Sequence, residues 1–238
     1  MFLPVFKREF LGYFRTPVAY VFLAVFSLAS LVLALFVSQF FKSGSASLDS
    51  YFTWQIWLFL LFAPAAGMRL WSEEKKSGTM ELLFTMPVTP LQAVLAKFTA
   101  AWAFLVCGLL LSFPLVITTA WLGDPDWGIM FSGYVGCILM AGAYLAVSSL
   151  MSALTKNQVI AFVLGLFVNL ILVFLGASVF SGILESFLPQ AAADIIANFS
   201  PMTHLDPFMK GIIDLKDVVF FLSLGGFSLF LNVLALER

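Results

Sequence analysis

Apolar residues run through this chain almost without a break, and short polar clusters cut the run into segments. Residues 18–41, 51–70, 98–121, 130–154, 159–180 and 218–236 are each near the ~20 residues a helix needs to cross a hydrocarbon layer. As drawn, these segments hold no charged side chain short of Arg69, at the end of the second. Thr16-Pro17 reads as a helix start, Pro64 should kink the second span, and Pro114 is tolerated in the third. The expected architecture is therefore all-α, with six transmembrane helices in a single domain, 1–238.

Residues 1–15 follow a different pattern. Phe2, Leu3, Phe6, Phe10, Tyr13 and Phe14 share an arc of about 120°, whereas Lys7, Arg8, Glu9, Gly12 and Arg15 lie elsewhere. That pattern suits a helix lying in the membrane interface, with aromatics in the acyl boundary and basic groups toward anionic headgroups. The alternative, the basic region of a secretory signal, fits poorly because the following apolar run exceeds a signal core of about 7–15 residues.

The most polar interval, 71–97, lies between the second and third spans. By period, Thr79, Leu82, Leu83 and Met86 fall on one side of a short helix, with Glu81 and Thr85 opposite. Gly78 opens this helix and Pro87 closes it, because a proline pushes the preceding residue out of the helical region. Thr89-Pro90-Leu91-Gln92 then starts the next helix, with threonine at the cap and proline in the first turn.

The other connections are a Ser/Gly-rich stretch at 42–50, a turn at Gly123-Asp-Pro-Asp-Trp-Gly128, and a long loop at 181–217. In that loop, residues 191–201 read as a short amphipathic helix stopped by Pro201, one of several helical pieces expected to cap the bundle or dip into the outer leaflet. Gly142, Ala146, Ser149 and Ala153 form a small-residue stripe on the fourth span, and Gly165, Asn169 and Gly176 form one on the fifth. Such stripes let helices pack closely. Asn169 is either hydrogen-bonding glue across that seam or part of a substrate path.

Composition fixes the class. Hydrophobic residues make up 62% of the chain and charged ones 11%, with a mean hydropathy of +1.04. Soluble domains carry about 25% charged residues, so this is an integral membrane protein. A net charge of −1 gives no case for nucleic acid. With the N-terminus inside, Lys7, Arg8, Arg15, Arg69, Lys75, Lys76, Lys97, Lys156 and Arg238 are internal, and only Lys42, Lys210 and Lys216 are external. The positive-inside rule then places both termini and the 71–97 loop in the cytoplasm.

Several chemistries lack their signatures. There is no P-loop, nucleophile elbow or His-Glu-x-x-His pair, so no enzyme is expected in this chain. Cys107 and Cys137 sit in apolar runs and read as buried free thiols. The lone histidine, His204, is a poor metal site and reads as a loop hydrogen-bonding residue.

The stretch Arg69 to Pro90 contains Glu-Lys-Lys-x-Gly-Thr-x-Glu-Leu-Leu-x-x-x-Pro-Val-x, and with the span layout it resembles the permease subunit of a type-2 ABC transporter. Ser200-Pro-Met-Thr-His204 and Gly211-Ile-Ile-Asp-Leu-Lys-Asp217 are a weaker match, similar to the branch holding the gliding-motility and nitrous-oxide-reductase maturation permeases. The resemblance implies a pair of permeases, two copies of this chain or one with a related chain, riding on a dimer of separate ATPase subunits. ATP and Mg would be bound by those subunits and no cofactor by this chain; the membrane would be the cell's inner membrane. It makes Thr79–Met86 a coupling helix, with an ATPase interface of Glu73, Glu74, Gly78, Thr79, Glu81, Leu82, Leu83, Met86 and Pro87. Burying Leu82, Leu83 and Met86 there would contribute roughly 1.5–3 kcal/mol each before ordering costs. The gliding-type branch further implies an auxiliary membrane protein. The output is export or mechanical signalling; a stand-alone gradient-driven carrier or channel is the alternative class.

Overall fold

The computed structural model describes residues 2–37, 48–79, 89–177, 182 and 189–237. Helices account for every regular element among them. Helix α1 (Phe2–Phe14) turns at Thr16-Pro17 into α2 (Pro17–Val32), which ends in a π-helical turn, Leu33–Val37. Helices α3 (Asp49–Gly67) and α4 (Arg69–Ser77) follow, separated only by Met68. Next come α5 (Pro90–Leu110), α6 (Phe113–Leu122), α7 (Trp127–Leu154) and α8 (Gln158–Phe174). Short helices α9 (Gln190–Ala197) and α10 (Pro201–Met209) lead into α11 (Leu215–Glu237).

Five helical units among the described residues are long and apolar enough to cross a membrane. The sixth expected span, α8, is apolar but has 17 residues, a rise of about 25 Å against a hydrocarbon core of about 30 Å.

Two expectations about prolines need correction. Pro114 is not carried inside a continuous helix: the chain breaks at Leu111-Ser112 and Pro114 sits in the first turn of α6. At the break Ser112 Oγ donates to the Leu109 carbonyl at 2.6 Å, lies 2.9 Å from the Tyr134 hydroxyl and also takes the hydroxyl of Tyr51. Gly78, expected to open a helix, also ends α4: its φ of 72° is the left-handed conformation that glycine adopts without cost, and Thr79 directly after it is helical. Pro201 begins α10, one residue after the cap Ser200, besides ending the run before it.

Helix α7 is the hub, with α3, α4, α5, α8, α10 and α11 all packed against it. In lipid the drive for such packing is close contact and interhelical hydrogen bonding rather than water release. The candidate packing residues lie in this centre. The Trp102 indole rests on Gly142 and donates from Nε1 to the Ile138 carbonyl at 2.9 Å. Ala146 is fully buried, and Ser149 accepts 2.7 Å from Asn232 on α11. Gly165 lets α8 close on Ser148, and Asn169 donates to the Tyr144 carbonyl at 3.2 Å and Ser148 Oγ at 3.1 Å. The opposite face of α8, with Val159, Val163, Phe167 and Ile171, is left for lipid.

Cys137 is buried but Cys107 only half-buried, which corrects the expectation for the latter; both are free thiols.

Candidate functional site

The root of the 78–89 loop is built from the ends of α4 and α5. Helix α4 owes its position to Ser152 on α7. Its Oγ accepts from the amides of Trp71 and Ser72, each at 3.1 Å, and donates to the Met68 carbonyl at 2.8 Å. The first amides of a helix have no internal partner, so one serine both caps α4 and closes the break left at Met68. At the far end, Lys75 donates to the Ala153 carbonyl at the C-terminus of α7. The other root, α5, starts as its sequence dictates: Thr89 accepts from the Gln92 amide at 3.3 Å, with Pro90 in the first turn.

Between the two roots lies Lys97, 3% exposed. Its ammonium is 2.7 Å from Glu74 Oε1 on α4 and 3.5 Å from Glu9 Oε1 on α1, and 5.3 Å from the centroid of the Trp71 ring. A buried ammonium is costly unless paired. Here two carboxylates and an aromatic face share it. Glu9 is further paired with Arg8 at 2.7 Å.

Of the expected ATPase-interface residues, Glu73, Gly78 and Thr79 are exposed, with Ser77 Oγ 2.8 Å from Thr79 Oγ1. Glu74 turns inward to Lys97. Glu81, Leu82, Leu83, Met86 and Pro87 lie outside the described residues.

The aromatic arc of α1 divides. Phe2, Phe6 and Phe10 form a stacked row with centroids 6.1 and 5.8 Å apart. Tyr13 and Phe14 pack instead on Phe104 of α5, at 4.7 and 5.8 Å. Burial, with Glu9 adding and Arg69 opposing, pushes the Tyr13 phenol well above its usual range, so it stays neutral.

Lys97 and Glu9 were not among the expected site residues. The signal for Lys97 was present in the order Ala93, Lys97, Ala100, Phe104, which puts a lysine on the buried stripe of an apolar helix. Glu9 gave none, since nothing local distinguishes a carboxylate facing headgroups from one facing a lysine 88 residues away.

A second buried ionisable pair sits at the opposite end. His204 Nδ1 is 2.6 Å from Asp217 Oδ1, Nε2 donates to the Asn198 carbonyl at 2.8 Å, and the ring stacks on Phe220 at 3.9 Å. His204 thus fastens α9, α10 and α11 together as a cap. Lys97 and Asp217 both fall one residue outside the drawn span limits, and the helices carry them into buried positions.

Lipid-facing helices around a polar-sewn hub, closed at one end by a short helical cap and carrying a braced loop at the other, define a polytopic helical membrane protein. A family model described as ABC-2 family transporter protein matches residues 43–236, and the chain belongs to that family. It is thus a membrane component of the ABC transporter class, which implies an ABC ATPase partner in general. The match covers α3 to α11; α1 and α2 precede it. No curated protein matches the chain.

Proposed function

We propose that this chain is the transmembrane permease subunit through which a separate ATPase drives export or mechanical signalling, docking on the loop between Gly78 and Thr89. Family membership supports the subunit assignment. The observation that carries the docking site is the braced root: a loop whose two supports are joined by a buried ion pair at 2.7 Å can receive a push without its feet splaying.

Lys97 with Glu9 and Glu74, and Lys75 near Lys156, bring basic residues of the 1–15, 69–97 and 155–157 stretches to that end, which supports, by the positive-inside rule, a cytoplasmic side there with both termini at an inner membrane. ATP and Mg belong to the ATPase dimer, and this chain binds no cofactor and is not itself an enzyme. Leu82, Leu83 and Met86 supply the apolar contact, and Glu73 and Glu81 orient it. A second permease, identical or related, completes the complex. The sequences at 200–204 and 211–217 support the gliding-type branch and an auxiliary membrane protein over the capped end.

Gentle extraction of the chain from its native membrane tests this reading. An ATP-hydrolysing protein is expected to co-purify, and Leu82→Asp with Leu83→Asp should abolish its recovery while leaving the spans folded. Equal recovery with that double variant would overturn the docking site.

A further inference from the structure

We propose that Lys97 is a positioning residue that joins α1 to both roots of the 78–89 loop, so that loop movement is delivered to the membrane-surface helix; this rests on the docking reading above. Glu74 lies four residues before Gly78 and Lys97 eight residues after Thr89, so their contact crosses the loop's base one to two helical turns from its mouth. The same ammonium meets Glu9, on a helix that lies outside the family match and reaches the site from the other end of the chain.

Adhesion alone does not call for a lysine here. Ala93, Ala100 and Phe104 form an apolar stripe on either side of position 97, all buried. An apolar residue could continue it, and replacing buried ion pairs by apolar side chains is often neutral for stability. What an ammonium adds is simultaneous, directional contact from α5 to two other elements, α1 and α4. Glu9 and Glu74 approach from opposite helices, while Trp71, fully buried, covers the lysine from the α4 side.

Helix α1 is also held by Tyr13 and Phe14 on Phe104 near its C-terminal end, and by the buried Val5 with Phe6 packed against the core. Toward its N-terminus, Phe2 and Leu3 are exposed. Glu9 adds the one polar contact that the described residues show between the middle of α1 and the loop's base. A displacement of the loop that preserves the tie must tilt or shift α1, and with it the aromatic row placed for the acyl boundary.

The test uses the full chain, in a Cys107→Ser, Cys137→Ala background, in phosphatidylethanolamine and phosphatidylglycerol vesicles. Spin labels at Gly12→Cys and Leu91→Cys report α1 against the second root; labels at Ser77→Cys and Leu91→Cys report root against root. Nothing lies within 4 Å of a Cβ added at Gly12, and Leu91 is 53% exposed. Both distance distributions should be narrow in the parent, both should broaden with Lys97→Met, and Lys97→Arg should restore them. Glu9→Gln should broaden only the α1 distance.

With the co-purified ATPase, Lys97→Met and Glu9→Gln should each lower coupled ATP turnover at least tenfold while ATPase recovery is unchanged. Unaltered distances in Lys97→Met, or broadened distances with full turnover, would overturn the proposal. If the parent chain recruits no ATPase, the docking reading fails and the transmission role falls with it, whereas the distance measurements still report whether the tie exists.

Discussion

Lys97 shows how one side chain can be read two ways. Counted by position it is one of nine cations expected on the inner side; by neighbours it is a buried ion bridging α1 and α4. Taking away the ammonium leaves Glu74 and Glu9 facing a low-dielectric gap, so Lys97→Met should cost about 3–5 kcal/mol. Adding Glu74→Gln should recover much of that loss, a coupling that a double-mutant cycle on detergent unfolding would read. Equal and additive losses would mean that the pair does not interact. Asn169 is a milder case. Its two bonds to α7 are intrabundle, so Asn169→Leu should cost about 0.6–2 kcal/mol in the same assay. Periodicity placed Asn169 on a packing face because its neighbours Gly165 and Gly176 repeat at helical spacing. The partner of Glu9 could not be read that way, because it depends on where a remote helix comes to rest.

At the scale of elements, local chemistry gave the starts and tertiary contacts decided the breaks. Thr89-Pro90 announces its helix, whereas Asp126, read only as part of a turn, proves to cap one and accepts from the Gly128 amide at 2.8 Å. The division at Met68 had no such sign beyond Pro64, because what stabilises it is Ser152, far along the chain. Ser152→Ala should release the amides of Trp71 and Ser72, speeding their hydrogen exchange at least tenfold and costing about 1–3 kcal/mol. Unchanged exchange at those two amides would mean that α4 is held by packing alone. The break at Ser112 was likewise hidden: Pro114 suits either a kinked helix or a fresh start, and the hydroxyls of Tyr51 and Tyr134 favour the second. Helix α1 was legible as amphipathic, yet Tyr13 and Phe14 turn onto Phe104 and Phe6 packs partly against the core. Phe6→Ser with Phe10→Ser should expose a label at Gly12→Cys to water-soluble quenchers, whereas no change would reject the interfacial placement.

The whole molecule is asymmetric from end to end. One end is a cap of short helices fastened by His204; the other is a basic face with a loop whose feet are tied by Lys97. Class was plain from hydropathy, since a chain with 11% charged residues has too little polar surface for a soluble fold. Membership of the ABC-2 family sets the chain among transporter membrane components. In this account nucleotide energy enters at the loop, so the purified chain alone should move no solute when only an ion gradient is imposed on its vesicles. The most direct measurement places a photo-cross-linking residue at position 83 in cells and identifies the adduct. The account predicts a covalent product with a soluble, P-loop-bearing ATPase, lost when Gly78–Thr89 is replaced by a polar linker. Adducts with lipid or with a second copy of the chain alone would contradict it.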